Sequence, residues 1–306
     1  MSPIGAISEA TRPFVLGAIS AALILGLCST AWSQETTAPA AGGGFGFDNS
    51  DNDPIEISAD NGIEWKRDTR TYTARGNALA QQGNTSIAAD TLIAYLDDQN
   101  ELSNWEAIGN VKITTSQSTS YGDHADYTEA TRLLVLTGSN LKVVTDNQTV
   151  TARDQIEYWR DKDVVVAKGN VVIVRSQKNT TIHSDEATAY FRDKLDDPAT
   201  PQDETGDGSE IYQVEAQGHV RVDRKEQTAF SDHLAYNPES DVAILTGNVT
   251  IHSKDNTYKG ARAELDLAND VSRLLPAPGQ RVFTTIRPKE DNNDTNSSTQ
   301  PAPVTQ

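Results

Sequence analysis

Through the middle of this chain apolar residues fall at every second position, and they do so around glycines that recur. The glycines stand at Gly76, Gly109, Gly138, Gly169, Gly218 and Gly247, at spacings of 33, 29, 31, 49 and 29 residues. Leaving out the 15 residues from Lys194 to Gly208 brings the 49 down to 34. Four residues before each glycine stand Tyr72, Trp105, Leu134, Val165, Val214 and Ala243; two before stand Ala74, Ala107, Leu136, Ala167, Ala216 and Leu245. Two after stand Ala78, Val111, Asn140, Val171, Val220 and Val249, and four after stand Ala80, Ile113, Lys142, Ile173, Val222 and Ile251. A helix needs a period of 3.6, so a period of two predicts strands with one apolar face. In the third repeat the apolar residues slip to Leu141 and Val143. One extra residue does that, which predicts a β-bulge near Ser139 or Asn140. Each glycine lies on the apolar face, where a missing side chain lets a strand bend, so every such strand is predicted to turn a corner. Corner-turning strands are how sheets close into rolls.

A second pattern follows each glycine by 14 to 16 residues: Asp90, Asp123, Asp154, Asp185 and Asp232, each with a tyrosine four or five residues on (Tyr95, Tyr127, Tyr158, Tyr190, Tyr236). An opening copy has Asp60 with Trp65, and a closing copy, Gly260-Ala261-Arg262, lacks the acid. Turn-formers such as Asn237-Pro238-Glu239-Ser240 separate the two patterns, so each repeat reads as a hairpin of two bent strands. Seven such hairpins predict an all-β fold of roughly 14 stacked antiparallel bent strands, on the order of 65 Å long at ~4.8 Å per strand.

The ends read differently. Arg12, the apolar run Phe14–Leu27 and the small-x-small Ala31-Trp32-Ser33 predict a cleavable signal peptide over residues 1–33 and a periplasmic destination. That run is shorter than the ~20 residues a membrane-spanning helix needs. Leu25-Gly26-Leu27-Cys28 resembles a lipoprotein box, but Leu27 is too large for the position before the cysteine. Cys28 is the one cysteine, so cleavage after Ser33 leaves no thiol chemistry. Residues 34–53 read as a flexible leader, 54–288 as the sheet domain with an acidic loop insertion at 194–208, and 289–306 as a disordered tail. A net charge of −18 argues against nucleic acid.

Little here resembles catalysis. The histidines His124, His183, His219, His233 and His252 lack short metal-ligand spacing and read as exposed strand or turn residues. The recurrent aspartates repeat at one structural position, which suggests capping or solvent contact rather than paired acid–base carboxylates. Asp48-Asn49-Ser50-Asp51-Asn52-Asp53 lacks the glycine and distal glutamate of a calcium loop. The chain is therefore read as a non-enzyme without cofactor or metal.

The order of these segments resembles the LptA/OstA family. The resemblance is carried by Pro54-Ile-Glu-Ile-Ser-Ala-Asp60, the Gly-Asn strands, the Ala/Ser-Asp strands ending in tyrosine, and the closing Arg281-Val282-Phe283-Thr284-Thr285. It covers residues 54 to 288 and implies an elongated open β-jellyroll with an apolar interior that binds the acyl chains of lipopolysaccharide. The inward positions Tyr72, Trp105, Val111, Ile113, Leu134, Leu136, Val165, Val171, Ile173, Val220, Val222, Leu245, Val249 and Ile251 are then the groove candidates. A dozen buried methylenes are worth ~10 kcal/mol, so transport requires partial burial along near-equal sites. The resemblance also implies edge-strand pairing with LptC-like and LptD-like jellyrolls, and end-to-end self-association, through Ile55–Trp65 and Arg281–Ile286. The rival reading is a structural or adhesive exported β-repeat protein with a filled interior and no lipid.

Overall fold

The computed structural model describes residues 54–193 and 209–285, apart from 255, 278 and 280. The signal segment, the leader, the insertion 194–208 and the tail lie outside the described residues. Eighteen strands among the described residues join one antiparallel sheet. They are β1 (Glu56–Ser58), β2 (Ile63–Lys66), β3 (Thr71–Gln82), β4 (Thr85–Leu96), β5 (Leu102–Thr114), β6 (Ser118–Thr128), β7 (Leu133–Thr137), β8 (Lys142–Thr145) and β9 (Thr149–Thr151). They continue as β10 (Gln155–Trp159), β11 (Val164–Arg175), β12 (Thr180–Asp193), β13 (Ser209–Arg224), β14 (Gln227–Asn237), β15 (Val242–Ser253), β16 (Asn256–Asp266), β17 (Val271–Leu275) and β18 (Phe283–Thr285).

Pairing reduces these to fourteen bent rungs. β1 and β2 both pair with β3, one on each side of its corner, and so form the two arms of a single rung. β7 with β8, β9 with β10, and β17 with β18 are split in the same way. The sheet therefore climbs rung by rung in chain order. Of the fourteen rungs, the first, sixth, seventh and last are split at the corner.

The corners form for a local reason. At Gly76-Asn77, Gly109-Asn110, Gly169-Asn170, Gly218-His219 and Gly247-Asn248 both residues take positive φ. Glycine does so without strain, and asparagine tolerates it better than other side chains. In β3, Arg75 faces Thr91 and Ala78 faces Ala89, so Gly76 and Asn77 together oppose Asp90 alone. The same two-against-one register recurs at the other four. A bulge thus sits at every continuous corner, where the alternation pointed to one only at the third repeat. Because two residues fill the bulge, period two passes unbroken through the glycine. The slip appears on the facing strand, where Ile87, Ala89 and then Leu92 are buried. The third repeat keeps the slip to Leu141 and Val143, but its rung breaks between Thr137 and Lys142.

The inward residues form one apolar cluster from Ala74 to Leu265. Small inward residues sit where a neighbour fills the space: a Cβ at Gly122 would come within 2.8 Å of Leu136, and one at Gly260 within 2.8 Å of Leu274.

Candidate functional site

The recurrent aspartates lock the corners of the rung that follows them. A Cβ at Gly109 would stand 2.2 Å from Asp90 Oδ2, at Gly169 2.2 Å from Asp154, at Gly218 2.3 Å from Asp185, and at Gly247 2.4 Å from Asp232. The carboxylate fills the space the glycine leaves. The residue after the glycine then donates to it: Asn110 Nδ2 to Asp90 at 3.0 Å, Asn248 Nδ2 to Asp232 at 2.8 Å, Asn77 Nδ2 to Asp60 at 2.7 Å. At the interrupted corner the Ser139 backbone N–H and hydroxyl donate to Asp123 at 2.7 and 2.8 Å, and hold its carboxyl below the usual range. At Gly218 a histidine replaces asparagine; His219 Nδ1 lies 2.7 Å from Asp185, and that hydrogen bond raises its pKa. The aspartates are caps.

The tyrosines divide by one residue. Those four after the aspartate, Tyr127, Tyr158 and Tyr236, are buried on the inner face. Those five after it, Tyr95 and Tyr190, fall on the other face, where their hydroxyls donate to Glu106 at 3.2 Å and Glu215 at 3.3 Å. This is the two-residue period at work. Tyr127 stacks on Trp105 with ring centroids 5.9 Å apart, and burial raises its pKa. Outside, Glu157 is covered by its neighbours. Burial works against its charge, but hydrogen bonds from Lys168 (2.6 Å) and Trp159 (3.0 Å) outweigh this and keep its pKa low.

Of the fourteen groove candidates, Trp105, Val111, Ile113, Leu134, Leu136, Val171, Ile173, Val220, Val222, Leu245, Val249 and Ile251 are buried in the common cluster. Val165 packs against it half-buried, and Tyr72 is 39% exposed. They are brought together as one inner surface, but most of it is packed against itself. Open space lies at the first rungs: a cavity of about 340 Å³ lined by Ile57, Ala74, Ala80, Leu92, Leu102 and Trp105 among others. Tyr72 and Trp105 are the two candidates that line it. Alternation about the glycines had not pointed to Ile57, Leu92 or Leu102 as lining residues, because they lie on the rungs either side of the glycine-bearing strands or at their ends. Both terminal rungs expose apolar side chains, with Trp65 60% and Phe283 67% accessible.

The family described as LptA/(LptD N-terminal domain) LPS transport protein matches this chain twice, over residues 56–164 and 149–271. The two matches overlap at the split seventh rung. Against the LPS-assembly protein LptD of Nitrosomonas eutropha the chain is 31% identical over 68 residues, 22% of this chain and 9% of that protein. The chain thus corresponds to a small part of that relative's length. Among solved structures, LptH, described as the LptA homologous periplasmic component of the lipopolysaccharide transport device of Pseudomonas aeruginosa, aligns with 77% of this chain and 96% of its own. Identity there is 12% and the TM-score 0.20, so the fold argument rests on the pairing described above. With the family pattern running twice through most of the sheet, this chain belongs to the LptA/LptD N-terminal domain family of lipopolysaccharide transport proteins.

Proposed function

We propose that this chain is a periplasmic bridge component that binds lipopolysaccharide and carries its lipid A acyl chains through the interior of the roll towards the outer membrane. The observation that carries the reading is the apolar inner face running from Ala74 in the second rung to Leu265 in the thirteenth, and opening as a cavity at the first rungs. At about 340 Å³ the cavity is at the small end of ligand pockets, which span roughly 300–1,000 Å³. It is too small to hold a whole lipid, which suits a carrier that binds acyl chains partly and passes them on. Sugars and phosphates stay in water, since an acidic surface offers phosphate no attraction. LptC-like and LptD-like jellyrolls, or a second copy, pair with the first and last rungs, whose outer edges have no partner strand among the described residues. No described helix is long and apolar enough to cross a membrane.

The close packing of the later rungs favours a second reading, a structural or adhesive β-repeat protein without lipid. Site-specific photo-crosslinking in cells separates the two. Photoreactive residues at inward Ala80, Val111, Val171 or Val249 are expected to capture lipopolysaccharide, and those at outward Lys112 or Thr250 are not. Capture from outward positions alone, or from none, rejects the carrier reading.

A further inference from the structure

The turns between rungs line two edges of the bent sheet. On one edge lie 67–70, 97–101, 129–132, 160–163, 238–241 and 267–270; on the other lie 83–84, 115–117, 146–148, 176–179 and 225–226. Neighbouring turns on the first edge are stitched by backbone hydrogen bonds such as Leu96 N–H to Arg70 O and Leu267 N–H to Asp241 O, both 2.9 Å. A sheet that stayed open would never bring the two edges together. In the second half they meet. Lys178 Nζ, from the second edge, lies 2.6 Å from Asp241 Oδ2 on the first. Arg175, at the second-edge end of β11, stacks its guanidinium 4.6 Å from the Tyr236 ring and comes within 4.0 Å of Asp241. β11 and β14 are not sheet neighbours, so these contacts cross the mouth of the roll. Further on, Arg224 and Asp270 cross it again at 3.4 Å.

The first crossing is built, not incidental. Asp241 has a side chain only 14% accessible and also accepts the Tyr236 hydroxyl at 2.7 Å. Burial alone would raise its pKa; the Lys178 and Tyr236 hydrogen bonds and the two cations outweigh that and lower it. The Tyr236 ring is 5% exposed and belongs to the inner face, so one side chain joins interior to mouth. Of the second-edge turns of the first half, Gly83-Asn84 and Thr115-Ser116-Gln117 carry no charge and 146–148 carries an acid, Asp146, so none offers the cation that Lys178 supplies.

We infer that Arg175, Lys178, Asp241 and Tyr236 form a clasp across the mouth of the second half, and that its release admits an acyl chain sideways into that half. An acyl chain between the inner faces must displace the Tyr236 ring, and with it the hydroxyl that holds Asp241. The inference rests on the reading of the interior as an acyl-chain site. It goes beyond that reading by assigning a point of control.

The test uses the full chain with Cys28→Ser, and an anthroyloxy-labelled long-chain fatty acid as probe. Asp241→Asn is expected to speed probe uptake by about tenfold, the scale of one lost charged hydrogen bond. Asp98→Asn, on an exposed pair with Arg70, is the control and should leave the rate unchanged. Lys178→Met should speed uptake as well, and adding it to Asp241→Asn should change the rate little further, a non-additivity that loss of stability alone would not produce. Lys178→Cys with Asp241→Cys, stapled by a cleavable bis-maleimide, should take fewer probe molecules per chain and recover on cleavage with dithiothreitol. Stapled and cleaved protein filling equally overturns the clasp while leaving the acyl-site reading intact. Failure of every form, wild type included, to take up probe overturns the acyl-site reading and the clasp together.

Discussion

At matching places about their corners, β3 carries Ala74, Ala78 and Ala80 while β11 carries Ala167, Val171 and Ile173. Corner geometry is the same, with φ of 78° at Gly76 and 84° at Gly169. The two strands differ by a few methyl groups. Those groups are enough to leave a cavity at the first rungs and a packed interior at the later ones. The second half adds cross-mouth ion pairs. A common scaffold thus offers an open vestibule in one half and a closed passage in the other, and interior volume, not topology, sets the difference.

The comparison can be broken most severely at a corner. Gly169→Val adds a Cβ where 2.2 Å separates it from Asp154 and imposes a β-branched residue at positive φ. A loss of about 3 kcal/mol or more is expected in urea unfolding. Wild-type stability would remove the corner's role. Exchanging the interiors comes next. Ile173→Ala should cost about 2–5 kcal/mol, because its surroundings are filled. Ala80→Ile, which grows into the cavity, should cost less than about 1.5 kcal/mol and reduce fatty-acid probe binding. Equal costs would deny the asymmetry.

A pH-dependent effect near neutrality is expected in the second half, where His219 replaces asparagine at a corner. Its folded pKa is raised by Asp185, so its stabilising contribution is full below the unfolded value of about 6.5 and fades as pH rises through the folded value. Titration by NMR should place His219 above the unfolded value, and Asp185→Asn should return it there. Smallest of all, Ser120 buries a hydroxyl with no hydrogen-bond partner against Ile113 and Val143. Ser120→Ala is expected to raise stability by up to about 1 kcal/mol in the same unfolding assay.

Period two about the glycines was enough to name the inner face and the fourteen rungs, because facing is decided within a few residues. Linkage between motifs was harder to see. Aspartates and glycines both stood out in the sequence, but the tie between an aspartate and the glycine of the following rung was not drawn. A signal for it existed: Gly260-Ala261-Arg262 lacks the acid, and the glycine after it, Gly279, is followed by none of the Asn, Ser or His that the aspartates hold elsewhere. Likewise a tyrosine at four or five residues from the aspartate was read as one motif, although one residue decides which face it joins. The cavity and the clasp were not legible. The first depends on the summed volume of residues from several rungs. The second joins Arg175 to Tyr236 across the mouth, through no local pattern.

Because each corner's cap is supplied by the rung before it, the architecture has a built-in direction. A segment that reaches the sheet finds the carboxylate for its own bend already in place, whereas a segment arriving in reverse order would find none. A chain emerging amino end first can therefore assemble progressively, every finished hairpin templating its successor. Past Arg262, where the acid is omitted, one rung follows, split at its corner, so the number of capped corners is written in the polypeptide itself.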